Sequence, residues 1–298
     1  QTLTVEREED WGFRTTLQMK TEENEACGNL YFIPMSMSGD QTRWTNYSNP
    51  MPAGGAYVDA IPSQKIRTTE LRAELRFAPG ETFINTKQRR LPINLDAPVF
   101  TVSHTLGLRG VLGGEYSYNY TEASIYKRFW LKSWGKMDFK VKGGIEWEKV
   151  PFPLLIMPET NLSYIVQDYT FEAINNMEFP TDRFLSGQLY WDMNGKILNR
   201  IPLIRKLKWR EWLGFRILWG ELSDKNNPYL DKNAGSPMLM YFPEGSYVLD
   251  PKRPYMELSI GIHNIFKIVH VEYVRRLNYN ELPTAHKDGI RFKVRATF

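Results

Sequence analysis

The last ten residues of the chain, GIRFKVRATF at positions 289–298, alternate strictly between apolar and polar side chains. Successive side chains of an extended strand point to opposite faces, so this segment predicts a strand with one apolar and one charged face. Such a strand fits a soluble sandwich with a buried apolar face, or a membrane barrel whose apolar face meets lipid. The apolar face carries Ile290, Phe292, Val294, Ala296 and Phe298, and the charged face carries Arg291, Lys293 and Arg295.

The same alternation recurs along the chain, for example in TELRAELRFA at 69–78 and in GKMDFKVKGGIEW at 135–147. Several of these segments reach about ten residues, which is the span of a tilted transmembrane strand and exceeds the usual length in soluble sheets. Aromatic residues make up 14% of the chain and cluster at the segment ends, where an interfacial belt would lie. The pattern therefore favours a membrane barrel.

Composition narrows the classes of protein further. No run approaches the roughly 18 apolar residues of a membrane-spanning helix, so a bilayer location would require a barrel. The mean hydropathy of −0.45 is compatible with that fold, because half of each barrel strand is polar.

One cysteine, Cys27, excludes an internal disulfide, and a net charge of +4 gives no indication of nucleic-acid binding. We expect no cofactor or metal.

The lengths of the links between strands predict an orientation, since outer-membrane barrels have short periplasmic turns and long external loops. The short links at 131–135 and 264–267 are expected in the periplasm, and the long links at 148–185 and 222–254 outside. Upstream the fit is weaker, because the expected periplasmic link at 79–96 is long and the expected external link at 107–115 is short.

The hairpin around NIFK predicts a set of polar side chains on the inside of the barrel. A two-residue turn at 265–266 would pair Gly261 with His270 and Ser259 with Glu272. A Ser–His–acid site is one interpretation, and polar residues satisfied by neighbours and water are the other. Because no HExxH or GxSxG motif occurs, we expect no enzyme activity. The expected internal polar residues are Glu257, His263, His270, Glu272, Arg291, Lys293 and Arg295.

The link from Pro151 to Phe184 is too apolar and aromatic for a solvated tether, so it is expected to fold into the lumen or to cover another protein. The basic residues inside the barrel would favour anions in an open pore, but nearby acidic residues can pair with them. Arg275 and Arg276 are expected near lipopolysaccharide phosphates, or to extend to the interface. The residues expected in the plug or partner contact are Phe152, Leu154, Leu155, Ile156, Tyr164, Tyr169, Phe171 and Phe179.

Several motifs in order resemble the C-terminal barrel of an uncharacterised Gram-negative outer-membrane family whose members carry an N-terminal carboxypeptidase-regulatory-like domain. They include LRFAPGETFINTKQRRLPI, APVFTVSHTLGLRGVLGGEY, KVPFPLLIMPETNLSY, NRIPLIRKLKWREW and YMELSIGIHNIFKIVHVEYVRRLNY. The resemblance covers about 69–298, and residues 1–65 match only loosely. It implies an outer-membrane location without a known activity. It also implies that Phe292, Val294 and the terminal Phe298 act as a barrel-closure and assembly signal.

The sequence thus predicts an all-β protein in which residues 1–298 form a transmembrane antiparallel β-barrel of about 12 to 14 strands, plugged by loops. Residues 1–65 would supply N-terminal strands, and the carboxypeptidase-regulatory-like domain is expected to lie outside this chain. The expected function is a non-enzymatic subunit of an assembly, secretion or uptake complex. The alternatives are a porin-like or solute channel and a hydrolase using a lumenal histidine. Expected partners are outer-membrane lipid, lipopolysaccharide and other outer-membrane or periplasmic proteins.

Overall fold

The computed structural model describes residues 1–26, 30, 32, 34–35, 65–86 and 90–294. Thirteen strands and one short helix lie in this part of the chain. The strands are β1 Thr2–Glu8, β2 Phe13–Glu25, β3 Lys65–Phe77, β4 Phe83–Asn85, β5 Arg90–Pro92, β6 Val99–Gly107, β7 Tyr118–Trp130, β8 Lys136–Glu146, β9 Arg183–Asp192, β10 Arg210–Glu221, β11 Tyr255–Ile265, β12 Val269–Arg276 and β13 Asp288–Val294. The helix α1 is Pro202–Leu207, and single 3-10 turns lie at Lys132–Trp134, Phe152–Leu154, Leu198–Arg200 and Asp231–Asn233.

Eleven of the strands form one sheet, in which every neighbouring pair is antiparallel. Its order follows the chain from β1 at one edge to β13 at the other, omitting β4 and β5, which form a separate hairpin. The fold is therefore all-β, as the alternation predicts. The predicted positions Arg295 and Phe298 lie outside the described residues.

The two faces of the sheet differ as the alternation predicts. We call the face that carries Glu257 and Arg291 the inner face, and the opposite face the outer face. Ile260, Tyr273 and Ile290 lie opposite one another on β11, β12 and β13, and they form a row across the outer face. Their exposed fractions are 55%, 41% and 52%, whereas Glu257 is fully buried. The apolar residues of this outer-face row are thus exposed, whereas Glu257 on the inner face is not.

The links group at two ends of the sheet. The turn end carries the link at 131–135 and the link from β9 to β10, and the loop end carries the links at 147–182 and 222–254. The long link after β3 also lies at the turn end, where it contains the β4–β5 hairpin, and the short link after β6 lies at the loop end. The predicted grouping therefore holds upstream as well.

The predicted register of the β11–β12 hairpin was wrong. Gly261 pairs with Glu272 and Ser259 with Val274, two residues away from the prediction. The turn is not a two-residue one, because Ile265 pairs with Val269 and three residues lie between them. The pairing also shifts between Ile262 and Ile265, and Asn264, Phe266 and Lys267 have positive φ angles. Phenylalanine and lysine seldom adopt this conformation, so the residue types at 266 and 267 do not predict the irregular turn. A shift of two leaves each side chain on its expected face.

The buried core lies between the inner face and the loop-end links. We call residues 147–182 the plug loop. Its Phe171 and Phe179 pack in one cluster with Leu218 of β10 and Tyr255 of β11. Its Phe152 belongs to a second cluster, together with residues of the 222–254 link. None of the helices in the described part of the chain has the length and apolar character needed to cross a membrane.

Candidate functional site

Glu257 of β11 is the main attachment point of the plug loop. Its two carboxylate oxygens accept hydrogen bonds from the backbone N–H groups of Glu172 and Ala173, at 2.9 and 3.0 Å. The hydroxyl of Tyr255 donates a third bond at 2.9 Å, and Nη1 of Arg216 lies 3.2 Å from Oε1. All of these groups are buried, so the Glu257 carboxylate links the backbone of the plug loop to the guanidinium of Arg216 on the neighbouring strand β10.

A second attachment joins the end of β12 to the plug loop. Nη2 of Arg276 lies 2.8 Å from Oε1 of Glu178, and the exposed fraction of both side chains is 0%. The guanidinium also lies over the ring of Tyr255, 5.0 Å from its centroid, and over that of Phe179 at 5.6 Å. The expectation that Arg276 contacts lipopolysaccharide was therefore wrong, because this residue points to the inner face.

The third attachment is along β13. Arg291 donates to the main-chain oxygen of Glu172 at 2.7 Å and to its carboxylate at 3.2 Å, and Lys293 pairs with Asp168. The plug loop also pairs in parallel with this strand, since the N–H of Phe292 donates to the oxygen of Tyr164, and the N–H of Val166 to the oxygen of Phe292. A segment of the plug loop thus covers part of the β13 edge.

The Glu172 carboxyl lies among two arginines and two other carboxylates. Burial raises its pKa from 4.5 to about 7, because loss of water disfavours the charged form. The charges of Arg216 and Arg291 lower the pKa, and those of Glu257 and Glu272 raise it. Burial and the two carboxylates together outweigh the arginines, so this residue gains a proton on folding near neutral pH.

We expect the stability of the protein to depend on pH through Glu172. Its pKa is higher in the folded chain than in the unfolded one, so the folded state binds more protons, and stability falls as pH rises from about 4.5 to about 7. The Glu172→Gln variant should lose this component and should unfold at a higher temperature than the wild type at pH 8. The difference between the folded and unfolded pKa values corresponds to a change in the free energy of unfolding on the order of 3 kcal/mol.

Thermal unfolding in detergent at pH 5 and pH 8 checks this expectation. The exposed Glu244 serves as a control, because Glu244→Gln should leave the pH dependence of the wild type unchanged. A Glu172→Gln variant that is less stable than the wild type at pH 8 would show that the carboxylate is ionised and stabilised by its arginines.

A polar cavity lies at the turn end of the inner face, beside the plug loop. It is lined by residues that include Trp212, His263, His270 and Glu272, and its volume is about 410 Å³. Nε2 of His263 lies 3.1 Å from Oε1 of Glu272, and the ring of His263 stacks on Trp212 with centroids 4.6 Å apart. In the described part of the chain, no group of three or more His, Cys, Asp or Glu residues is arranged to hold a metal ion.

This cavity meets one geometric condition of the hydrolase alternative, since His263 is hydrogen-bonded to the carboxylate of Glu272. The serine of that alternative lies elsewhere, because Ser259 is fully buried two pairs further along β11 and is opposite Val274. The described residues that line the cavity include no serine, threonine or cysteine. The hydroxyl groups in this lining therefore belong to Tyr169 and Tyr190, and the serine of the hydrolase alternative is not among the residues around His263.

The predicted plug residues take several positions. Phe152, Leu155, Phe171 and Phe179 are buried, Leu154, Ile156 and Tyr169 are half-buried, and Tyr164 has an exposed fraction of 75%. On β13, Phe292 and Val294 point to the outer face with exposed fractions of 46% and 76%. The internal polar residues Glu257, His263, His270 and Glu272 are buried, and Arg291 and Lys293 are half-buried.

The anchoring carboxylates of the plug loop were missed at the level of sequence. Glu172 and Glu178 are the acidic residues in the apolar and aromatic segment YTFEAINNMEF at 169–179. Acidic side chains in such a segment are rarely buried unless they are paired. That composition could have indicated two buried ion pairs, although it could not name the partners.

Further charges on the inner face are paired, as predicted. Arg128 donates to both carboxylate oxygens of Asp138, at 2.6 and 2.8 Å. Lys142 lies 3.0 Å from Glu122 and 2.7 Å from Glu159 of the plug loop. These contacts continue the network of charges beyond the three attachments.

An antiparallel sheet with an exposed apolar face and a polar, loop-covered face defines an all-β protein. The chain belongs to the family of unknown function DUF5686, whose C-terminal domain matches residues 2–235. No curated protein matches the chain.

The fold is similar to that of a solved structure, BamA from Haemophilus ducreyi lacking POTRA domains 1–3. The TM-score is 0.51 at 13% sequence identity, and the match covers 98% of this chain and 53% of that one. The chain therefore spans about half the length of that structure, and at this identity the similarity concerns the fold alone.

Proposed function

We propose that this chain forms part of an outer-membrane β-barrel whose interior is closed by the plug loop, and that it acts as a non-enzymatic subunit in contact with other envelope proteins. The observation that carries the proposal is the contrast between the two faces of the sheet. The buried carboxylate of Glu257 and the buried Arg276–Glu178 ion pair hold the plug loop on the inner face, while large apolar residues remain exposed on the outer face.

The outer face fits a lipid environment. Exposed leucine, isoleucine and aromatic residues follow the strands from β3 to β13, and in a bilayer such side chains face the acyl chains. Exposed tryptophans lie near the strand ends, as in an interfacial belt, with exposed fractions of 40% for Trp134, 54% for Trp147 and 40% for Trp219. The similarity of the fold to BamA supports an outer-membrane location in a Gram-negative bacterium.

The inner face supports a closed barrel rather than a channel. A conducting pore needs a continuous polar path, whereas the plug loop lies across the inner face and its charged anchors have exposed fractions near zero. The paired charges of Arg128 and Lys142 leave little net field to select ions. This supports a role that depends on contacts with other proteins.

A surface for such a contact lies at the tip of the plug loop. The exposed fractions of Leu162, Tyr164 and Ile165 are 60%, 75% and 64%. These residues adjoin the β13 edge, where Ile165 pairs with Phe292. Exposed apolar clusters on ordered loops are typical of protein interaction sites, so we assign the partner contact to this tip.

Affinity purification from native membranes in a mild detergent tests the proposal. The wild type should recover other envelope proteins in fixed ratio, and a variant with Leu162, Tyr164 and Ile165 changed to serine should lose them. The control changes Ile201, Leu203 and Leu207 to serine, which are exposed apolar residues at the turn end, and should retain the partners. Recovery of the wild-type protein alone would contradict the subunit role.

A further inference from the structure

The cavity at the turn end has the features of a binding site that the proposed function does not use. Trp212 and Glu272 both line it. Each of the two buries a polar atom to which the described residues supply no hydrogen-bond partner: Nε1 of Trp212, a donor, and Oε2 of Glu272, an acceptor. Glu272 has an exposed fraction of 1%. A buried polar atom without a partner is costly, so these atoms favour a ligand that satisfies them.

The aromatic rings around Trp212 fix the direction of its N–H group. The indole is stacked between Tyr190, with centroids 5.6 Å apart, and His263 at 4.6 Å. His263 is held in turn by Oε1 of Glu272 and by an edge-on contact with His270 at 4.3 Å. Donor and acceptor are thus ordered before a ligand arrives, which reduces the entropy lost on binding.

The charge of the cavity favours an uncharged ligand. Besides two histidines, its lining has four lysine or arginine side chains and four aspartate or glutamate side chains, so the charges of these eight balance. Two of the basic residues are already paired, Arg128 with Asp138 and Lys293 with Asp168. A strongly anionic or cationic ligand would have to compete with these pairs.

A hydroxyl group can accept from the indole N–H and donate to the carboxylate, whereas an amine only donates and a carboxylate only accepts. The cavity volume of about 410 Å³ lies within the range of small-molecule sites. We propose that this cavity binds an uncharged, hydroxyl-rich saccharide through Trp212 and Glu272.

The plug loop contributes to the same site. Asp168 and Tyr169 of this loop line the cavity, and the Tyr169 ring packs edge-on against Tyr190 with centroids 5.5 Å apart. A bound saccharide would therefore contact both the sheet and the plug loop. Since such a ligand binds the folded state, it should also raise the unfolding temperature of the protein.

Isothermal titration calorimetry of the full chain in a sugar-free detergent tests the site. The probes are N,N′-diacetylchitobiose and maltose, with citrate and spermidine as charged comparators. The wild type should bind at least one of the disaccharides saturably. Trp212→Phe, which keeps an aromatic ring and removes the N–H, and Glu272→Gln should each weaken binding by about tenfold or more.

The control is Trp219→Phe, the same change on the outer face of the same strand, and its affinity should equal that of the wild type. Binding of neither disaccharide by the wild type would overturn the proposal, as would unchanged affinity in Trp212→Phe or binding of the charged comparators alone. If Glu272→Gln does not fold, the affinity of Trp212→Phe still tests the proposed site. The calorimetric measurement does not depend on membrane location or on partner proteins. The saccharide proposal can therefore fail or succeed separately from the proposed function.

Discussion

Replacing Glu257 with glutamine is expected to release the plug loop and to lower the free energy of unfolding by about 3 kcal/mol or more. The glutamine amide nitrogen cannot accept a hydrogen bond, so the backbone N–H of either Glu172 or Ala173 loses its acceptor. Arg216 meanwhile keeps a buried charge whose carboxylate partner at 3.2 Å is gone, and its other carboxylate partner, Glu172, is 3.8 Å away. Denaturant unfolding in detergent measures the loss.

Release of the plug loop should also be visible as conductance. Wild-type protein in a planar bilayer should conduct rarely, and the Glu257→Gln variant should show frequent openings, because the loop that crosses the inner face is no longer held. The matched control is Glu221→Gln, since Glu221 lies at the end of β10 with a side-chain exposure of 46%. An unchanged unfolding midpoint in Glu257→Gln would contradict the role assigned to this carboxylate.

Replacing Arg276 with methionine is expected to destabilise the protein by about 3–5 kcal/mol, because Glu178 would remain buried without its charged partner. The double variant Arg276→Met, Glu178→Met should recover most of this loss, since two apolar side chains of similar length can replace a buried pair without large cost. Denaturant unfolding of the two single variants, the double variant and the wild type gives the coupling energy between the two residues.

The neighbouring Arg275 provides the control for this cycle. It lies on the opposite face of the same strand and is exposed, so Arg275→Met should change stability by less than about 0.5 kcal/mol. Equal effects of Arg275→Met and Arg276→Met would mean that the buried pair contributes nothing specific. A double variant no more stable than Arg276→Met would lead to the same conclusion.

The strands and their faces could be predicted because they depend on a period of two, which is local. Ile290, Phe292 and Val294 are exposed on the outer face while Arg291 and Lys293 point inward, as their positions indicate. The same rule could have placed Arg276 correctly, because it shares its parity with Glu272. The expectation of a lipid contact ignored that parity.

The plug contacts could not be predicted because they depend on the path of a long loop. The bond between Glu172 and Glu257 joins residues 85 positions apart, and no local pattern relates them. The same is true of Arg291, which is 119 positions from Glu172. The predicted β11–β12 register failed for a different reason, since the positive φ angles of Phe266 and Lys267 leave no signature in the residue types.

The most direct test of the central claim is spin labelling of the outer-face row in lipid vesicles. Single cysteines at Ile260, Tyr273 and Ile290, introduced after replacement of Cys27, would each carry a nitroxide. We expect all three labels to collide readily with oxygen, which partitions into the bilayer, and rarely with a water-soluble nickel chelate. A label at Leu203 in the turn-end link, exposed by 79%, should show the opposite. Equal access of the nickel chelate to the row and to Leu203 would contradict a membrane-embedded outer face.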